Sequence, residues 1–161
     1  MKVTKSITEK AEEWMKSTPL RFSIISHLDF YNYTQNYSKD QILVIDFRQK
    51  EMYTKVHLPR SISIPTETSS FSDFIDFNEK EFIIKHSLST QQKLKLKRRK
   101  RNIVILIPFH ENPVDSSIFP TIFKNSDEID HSEDSELKSL RNCLLFYKLL
   151  KQQRHRDVHI C

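Results

Sequence analysis

The chain of 161 residues contains no glycine, where about 7% is usual. A Gly-rich phosphate loop of the P-loop or dinucleotide type is thereby excluded, because both need backbone that approaches phosphate without a Cβ. Tight turns must be made with Asn, Asp, Ser and Pro. Cysteine is scarce as well: the two present, Cys143 and Cys161, outline no disulfide framework. No apolar run reaches membrane-spanning length, so no membrane partner is expected. Residues 1–16 lack the apolar core of a signal peptide, and Glu9, Glu12 and Glu13 argue against a mitochondrial presequence. The expected location is the cytoplasm.

What is present is polar: 37% hydrophobic residues, 29% charged residues and a formal net charge of +5. The length suits one compact domain with a moderate core. Ser6-Ile7-Thr8-Glu9 reads as a capping box, and Ile7, Ala11, Trp14 and Met15 then share one helical face up to Pro19. An N-terminal amphipathic helix over 1–19 is expected, appended to a domain over 20–161. Residues 22–25 read as an edge strand, and Ser26 with Asp29 makes a second capping box that opens a short helix to about Asn36.

Two continuous apolar runs, Ile42-Leu43-Val44-Ile45 and Ile103-Val104-Ile105-Leu106-Ile107, suit parallel strands buried on both faces. Ile62-Ser63-Ile64 is a third, shorter strand, and residues 157–161 begin another. Between them lie helical patterns: 51–56, a looser one over 66–90, and an apolar stripe of Leu137, Leu140, Leu144, Tyr147 and Leu150. Residues 125–136 are polar and acidic and read as a mobile insertion. Strands alternating with helices predict an α/β fold with a small central parallel sheet flanked by helices.

One stretch carries chemistry. Asp46 ends the first buried run, where it can cap the next turn, and Arg48 can pair with a carboxylate such as Glu51. Tyr53 follows, and His57-Leu58-Pro59 makes a tight return into the next strand. On their own these residues read as structural braces. Their order resembles the rhodanese-like superfamily, in which a strand ends in Asp-x-Arg, a Glu and an aromatic follow, and Gly-His-Ile-Pro-Gly-Ala leads to a strand ending in Asn-x-Pro. Here Val56 stands at the family glycine before His57, and Pro59-Arg60-Ser61 replaces Pro-Gly-Ala, which suggests a relaxed loop.

Active members of that superfamily place a nucleophilic Cys directly after the strand matching residues 103–107. This chain has Pro108, Phe109, His110, Glu111, Asn112 and Pro113 there, without Cys, Gly or Arg. Persulfide transfer needs a thiolate in an electropositive cradle, so no catalytic activity and no cofactor are expected. The second half is most similar to the noncatalytic N-terminal domains of mitogen-activated-protein-kinase phosphatases, which are dual-specificity enzymes. The resemblance implies a closing strand followed by a Gly-Gly turn and a helix, of which only the start, residues 156–161, is present. It also implies docking of a kinase through an Arg cluster.

Seven of the nine residues 93–101 are Lys or Arg, among them Lys97, Arg98, Arg99, Lys100 and Arg101. A solvated charged loop that pairs with the acidic insertion is the plainest reading of the run. Docking of a protein with an acidic surface, such as a kinase, comes second. Nucleic acid comes last, since few aromatics are interleaved for base stacking. His155, His159 and Cys161 have partial metal-ligand spacing but lack a fourth ligand, so no metal is predicted. The leading expectation is an inactive rhodanese-like interaction module in signalling. A scaffold component using Trp14 and Met15 follows, and an active sulfurtransferase or phosphatase comes third.

Overall fold

The structure, a computed structural model, describes residues 21–108 and 116–161. The expected N-terminal helix over 1–19 and the residues Phe109, His110, Glu111, Asn112 and Pro113 lie outside the described residues.

The fold is α/β. Strands β1 (Ile42–Asp46), β2 (Ile62–Ser63), β3 (Ile103–Ile107) and β4 (Val158–Ile160) form one parallel sheet in the order β2-β1-β3-β4. Helices α1 (His27–Asn36), α2 (Lys50–Lys55), α3 (Ser72–Ile75), α4 (Glu79–Lys85), α5 (Thr90–Lys97), α6 (Phe119–Lys124) and α7 (Ser135–Gln152) flank it. Residues 22–25, expected as an edge strand, contribute a single parallel bridge, Ile24 to Ile160, outside β4. Backbone pairing there stops after two bonds, from Ile25 N–H to the Ile160 carbonyl and from Ile160 N–H to that of Ser23.

The continuous apolar runs are explained by two unequal cores. Leu43, Ile45, Val104 and Leu106 point into the larger, with Phe47, Phe74, Phe82 and Phe146. Ile42, Val44, Ile103 and Ile105 point the other way, where Phe30 and Tyr33 of α1 cover them. Each such side chain contributes roughly 1.5–3 kcal/mol by leaving water. Helix α7 is buried at every position from Ser139 to Lys148. The apolar stripe is therefore only part of its contact surface, because sheet and helices enclose it.

A chain without glycine still needs left-handed residues, and three are described: Arg60 (φ 64°), Ser87 (φ 52°) and Arg154 (φ 64°). Ser87 and Arg154 close α4 and α7 in Schellman motifs, whose left-handed position is usually glycine. Ser87 N–H bonds to Ile84 and Leu88 N–H to Ile83; Arg154 N–H bonds to Lys151 and His155 N–H to Leu150.

Two expectations are corrected here. Residues 125–136 are not a mobile insertion: Glu128–His131 is a 3-10 turn with Ile129 buried in the core. The Asp130 carboxylate accepts from Phe71 N–H at 3.0 and 3.1 Å and pairs with the fully buried Arg141. Nor is the basic run a loop. Ser89 and Gln92 form a capping box that starts α5, and Arg99–Arg101 continues it as a 3-10 turn. Leu96 fixes the helix to the core.

Candidate functional site

Parallel α/β sheets usually bind ligands at the carboxyl ends of their strands, where the rhodanese-like resemblance also places its loop. Here that end is filled by the protein's own charges. Asp46, 2% exposed, accepts Arg48 N–H at 2.9 Å and holds the guanidinium through Nε at 3.0 Å and Nη2 at 2.7 Å. Nη2 also donates to the Val56 carbonyl at 2.6 Å. The expected partner of Arg48 is thus replaced: Glu51 pairs with Lys55 on the surface of α2 instead, one turn away. The geometric reason is that Asp46 lies two residues before Arg48 and presents both carboxylate oxygens to it. Glu67 accepts Lys50 N–H at 3.1 and 3.3 Å, so a carboxylate already covers the first turn of α2. Pro108, which directly follows β3, is buried.

The loop over 56–61 is braced rather than relaxed. Val56 is extended (φ −148°), a conformation open to any residue, so no glycine is required. Tyr53 Oη donates to the Ser61 carbonyl at 2.8 Å, and the Ser61 hydroxyl donates to that of Leu58 at 2.7 Å. His57 Nδ1 donates to the Tyr53 carbonyl at 2.7 Å, and the two rings stack at 4.0 Å. Pro59 and Arg60 form the turn into β2.

Arg60 opens a different site. Asp40 and Gln41 directly precede β1, Arg60 and Ser61 precede β2, and Arg101 and Asn102 precede β3. Because these strands are parallel and adjacent in the order β2-β1-β3, the three approaches meet at the amino end of the sheet. Together with α5 they line a groove of about 900 Å³, which includes Tyr53, His57, Leu94, Lys95 and Arg98. Lys95 Nζ donates to the Lys39 carbonyl at 3.1 Å, tying α5 to the turn before β1. Burial, with the Arg60 charge adding to it, lowers the Lys95 ammonium below the ordinary lysine range, and Asp40 opposes this. Arg60 reaches Asp40 at 3.2 Å on the surface. Among the described residues Arg98 and Arg101 make no ion pair.

The groove divides the basic run. Arg98 and Arg101 line it, whereas Lys97 and Lys100 are exposed beside it. Arg99 belongs to the structure: it pairs with Glu79 at 3.5 Å, donates to Gln153 Oε1 at 3.0 Å and lies over the Phe77 ring at 5.6 Å. Of the acidic residues over 125–136, Asp130 is held by Arg141 and not by the basic run. Ile103 and Ile105, which follow the run, are 7% and 0% exposed and are unavailable to a partner. Sequence reasoning left Asp40, Arg60 and Lys95 out of the site, because only strand order brings them together.

The cysteines are poorly suited to nucleophilic work. Burial pushes the Cys143 thiol well above its ordinary range. The half-buried Cys161 thiol is raised by burial and by Asp29. His155 and His159 are engaged separately: His155 Nδ1 donates to the Leu150 carbonyl at 2.9 Å, and His159 Nδ1 lies 2.6 Å from Ser23 Oγ. Among the described residues no three potential metal ligands converge, and no helix is long and apolar enough to cross a membrane. Compared with family models, curated proteins and solved structures, the chain matches none.

Proposed function

We propose that the chain is a noncatalytic, rhodanese-like interaction module that binds an acidic segment of a protein partner in the groove at the amino end of its sheet. The observation that carries this reading is the gathering of Arg60, Lys95, Arg98 and Arg101 around one groove containing a single carboxylate, Asp40. Arg side chains suit carboxylates because their planar donors bind both oxygens. Tyr53 and His57, the aromatic rings of the groove, cover one face of each other, which leaves fewer faces for the base stacking that unpaired nucleic acid relies on.

The rhodanese-like part of the proposal is supported by the parallel order β2-β1-β3-β4 and by Arg60. Its left-handed backbone falls where the superfamily has the glycine of Pro-Gly-Ala. The noncatalytic part is supported by the sequence after β3, which has no Cys through Asp115, and by two thiols with raised pKa values. A protein kinase with an acidic docking surface is one partner of the right chemistry, and the cytoplasm is the proposed location.

The test is affinity capture with the intact chain and with an Arg98→Glu/Arg101→Glu variant, followed by identification of the retained proteins. Proteins retained by the intact chain alone, sharing Asp/Glu-rich segments, are the expected result. Equal recovery by both chains would move binding away from the groove. Arg99 stays unchanged in this variant, since its loss would confound binding with folding.

A further inference from the structure

The groove differs from a simple basic patch in two respects. First, it already contains a carboxylate on one of its cations: Asp40 Oδ1 is 3.2 Å from Arg60 Nη1, with the side chains 88% and 55% exposed. An ion pair this open to water contributes little to stability, so it opens readily. Yet Arg60 is held there in the left-handed region, at φ 64°, which is unfavourable for a residue with a Cβ. At Arg154 the same conformation closes a helix; at Arg60 it sets the side chain on the lining of the groove, against a partner that water screens. Second, the wall of the groove contributed by α5 carries Leu94, an apolar side chain that remains 47% exposed between Lys93 and Lys95.

We infer that Asp40 stands in for a carboxylate of the partner: an extended acidic segment bearing one apolar side chain enters the groove, displaces Asp40 from Arg60 and seats its apolar group on Leu94. This inference rests on the reading of the groove as an acidic-peptide site. Displacement leaves Asp40 in water at little cost, because it is already largely exposed. Arg60, Lys95, Arg98 and Arg101 then share the incoming charges. The arrangement also sets a threshold. A single carboxylate gains nothing by exchanging with Asp40, whereas a run of carboxylates reaches Arg98 and Arg101 as well. Selectivity for clustered acidic residues follows.

The test uses the full chain and two fluorescein-labelled peptides, one of glutamates alone and one of glutamates with a central leucine, read by fluorescence anisotropy at low salt. Asp40→Asn is expected to tighten binding of both peptides about three- to fivefold, the equivalent of removing one exposed competing ion pair. The gain should shrink as salt is raised. The leucine peptide should bind more tightly than the glutamate peptide to the intact chain, and equally with it to Leu94→Ser. If Arg98→Glu/Arg101→Glu abolishes binding but Asp40→Asn leaves it unchanged or weaker, the stand-in role is overturned while the acidic-peptide reading survives. If the intact chain binds neither peptide, or if polyuridylate binds it more tightly than both, the reading itself fails and the inference with it. Matching thermal melts of the variants exclude loss of fold as the cause.

Discussion

At the carboxyl ends of the strands Asp46 and Glu67 each hold donors of the protein itself, and Asp130 does the same in the connection between β3 and α7. At the amino ends the balance is reversed, with Arg98 and Arg101 facing the groove without an acidic partner among the described residues. Both regions are rich in charge, but one uses it to close the fold and the other leaves it available. Substituting a charge should therefore cost stability in the first region and binding in the second.

The largest effect is expected at Asp130. Asp130→Ala would leave the Arg141 guanidinium, fully buried, without its carboxylate, and Phe71 N–H without its acceptor. Breaking a buried pair from one side costs about 3–5 kcal/mol. A urea titration of the variant should show a midpoint lowered accordingly, and the unchanged slope of the transition would indicate that the denatured state is unaffected. A loss below about 1 kcal/mol would mean that the 125–136 segment is not part of the cooperative fold.

A second effect separates interior from groove by pH. The His86 ring is fully shielded on Phe82. Burial lowers its pKa to about 4, with Asp73 opposing and Lys85 adding to the shift. In the unfolded chain a histidine titrates near 6.5, so between about pH 6.5 and 4 the unfolded state binds more protons. Stability is therefore highest above the unfolded value and falls as the pH drops through this window. The expected loss is about 2 kcal/mol once solvent screening is allowed for. His86→Phe should flatten the dependence, as followed by thermal melts at pH 7 and pH 4.5, without changing peptide binding at pH 7.

How far the sequence reveals this division depends on the range of the signal. The buried strands and the α1 cap were legible because the apolar runs and the Ser26–Asp29 spacing are local. The cap at Ser89 and Gln92 was equally local, but the lysines that follow it hid the helix α5. Asp130 could not be distinguished from its acidic neighbours, since its partner Arg141 lies 11 residues further on, within α7. The groove was least legible. Its Asp40, Arg60 and Arg101 are separated along the chain and meet only through a strand order that periodicity does not encode.

Within the basic run itself, adjacent arginines should behave differently. Arg99→Glu would set a carboxylate against Glu79 and remove the contacts to Gln153 and Phe77. A loss of about 1–3 kcal/mol is expected, in the range for breaking a partly buried network. Arg98→Glu should leave stability within about 0.5 kcal/mol, as for surface positions generally, and should weaken binding of the glutamate peptide. Equal effects of the two substitutions on stability would erase the distinction between structural and available charge.

The sharpest comparison comes from a small change in stability. Arg60 and Arg154 have the same backbone conformation, φ 64°, in a chain without glycine. Relief of the left-handed strain by glycine is partly offset by glycine's greater freedom in the unfolded chain, leaving a gain of up to about 1 kcal/mol. Arg154→Gly puts the usual residue at the left-handed position of a Schellman motif and should raise the melting temperature with no effect on peptide affinity. Arg60→Gly should leave the melting temperature equal or higher and yet weaken the peptide, because the side chain removed is one of the groove's cations. If Arg60→Gly bound the peptide as well as the intact chain, the arginine would be a tolerated misfit at a turn, and the groove would lose its link to the β2 approach. A weakened affinity in a chain that melts no lower would show that this turn keeps an unfavourable backbone for the sake of the side chain it presents.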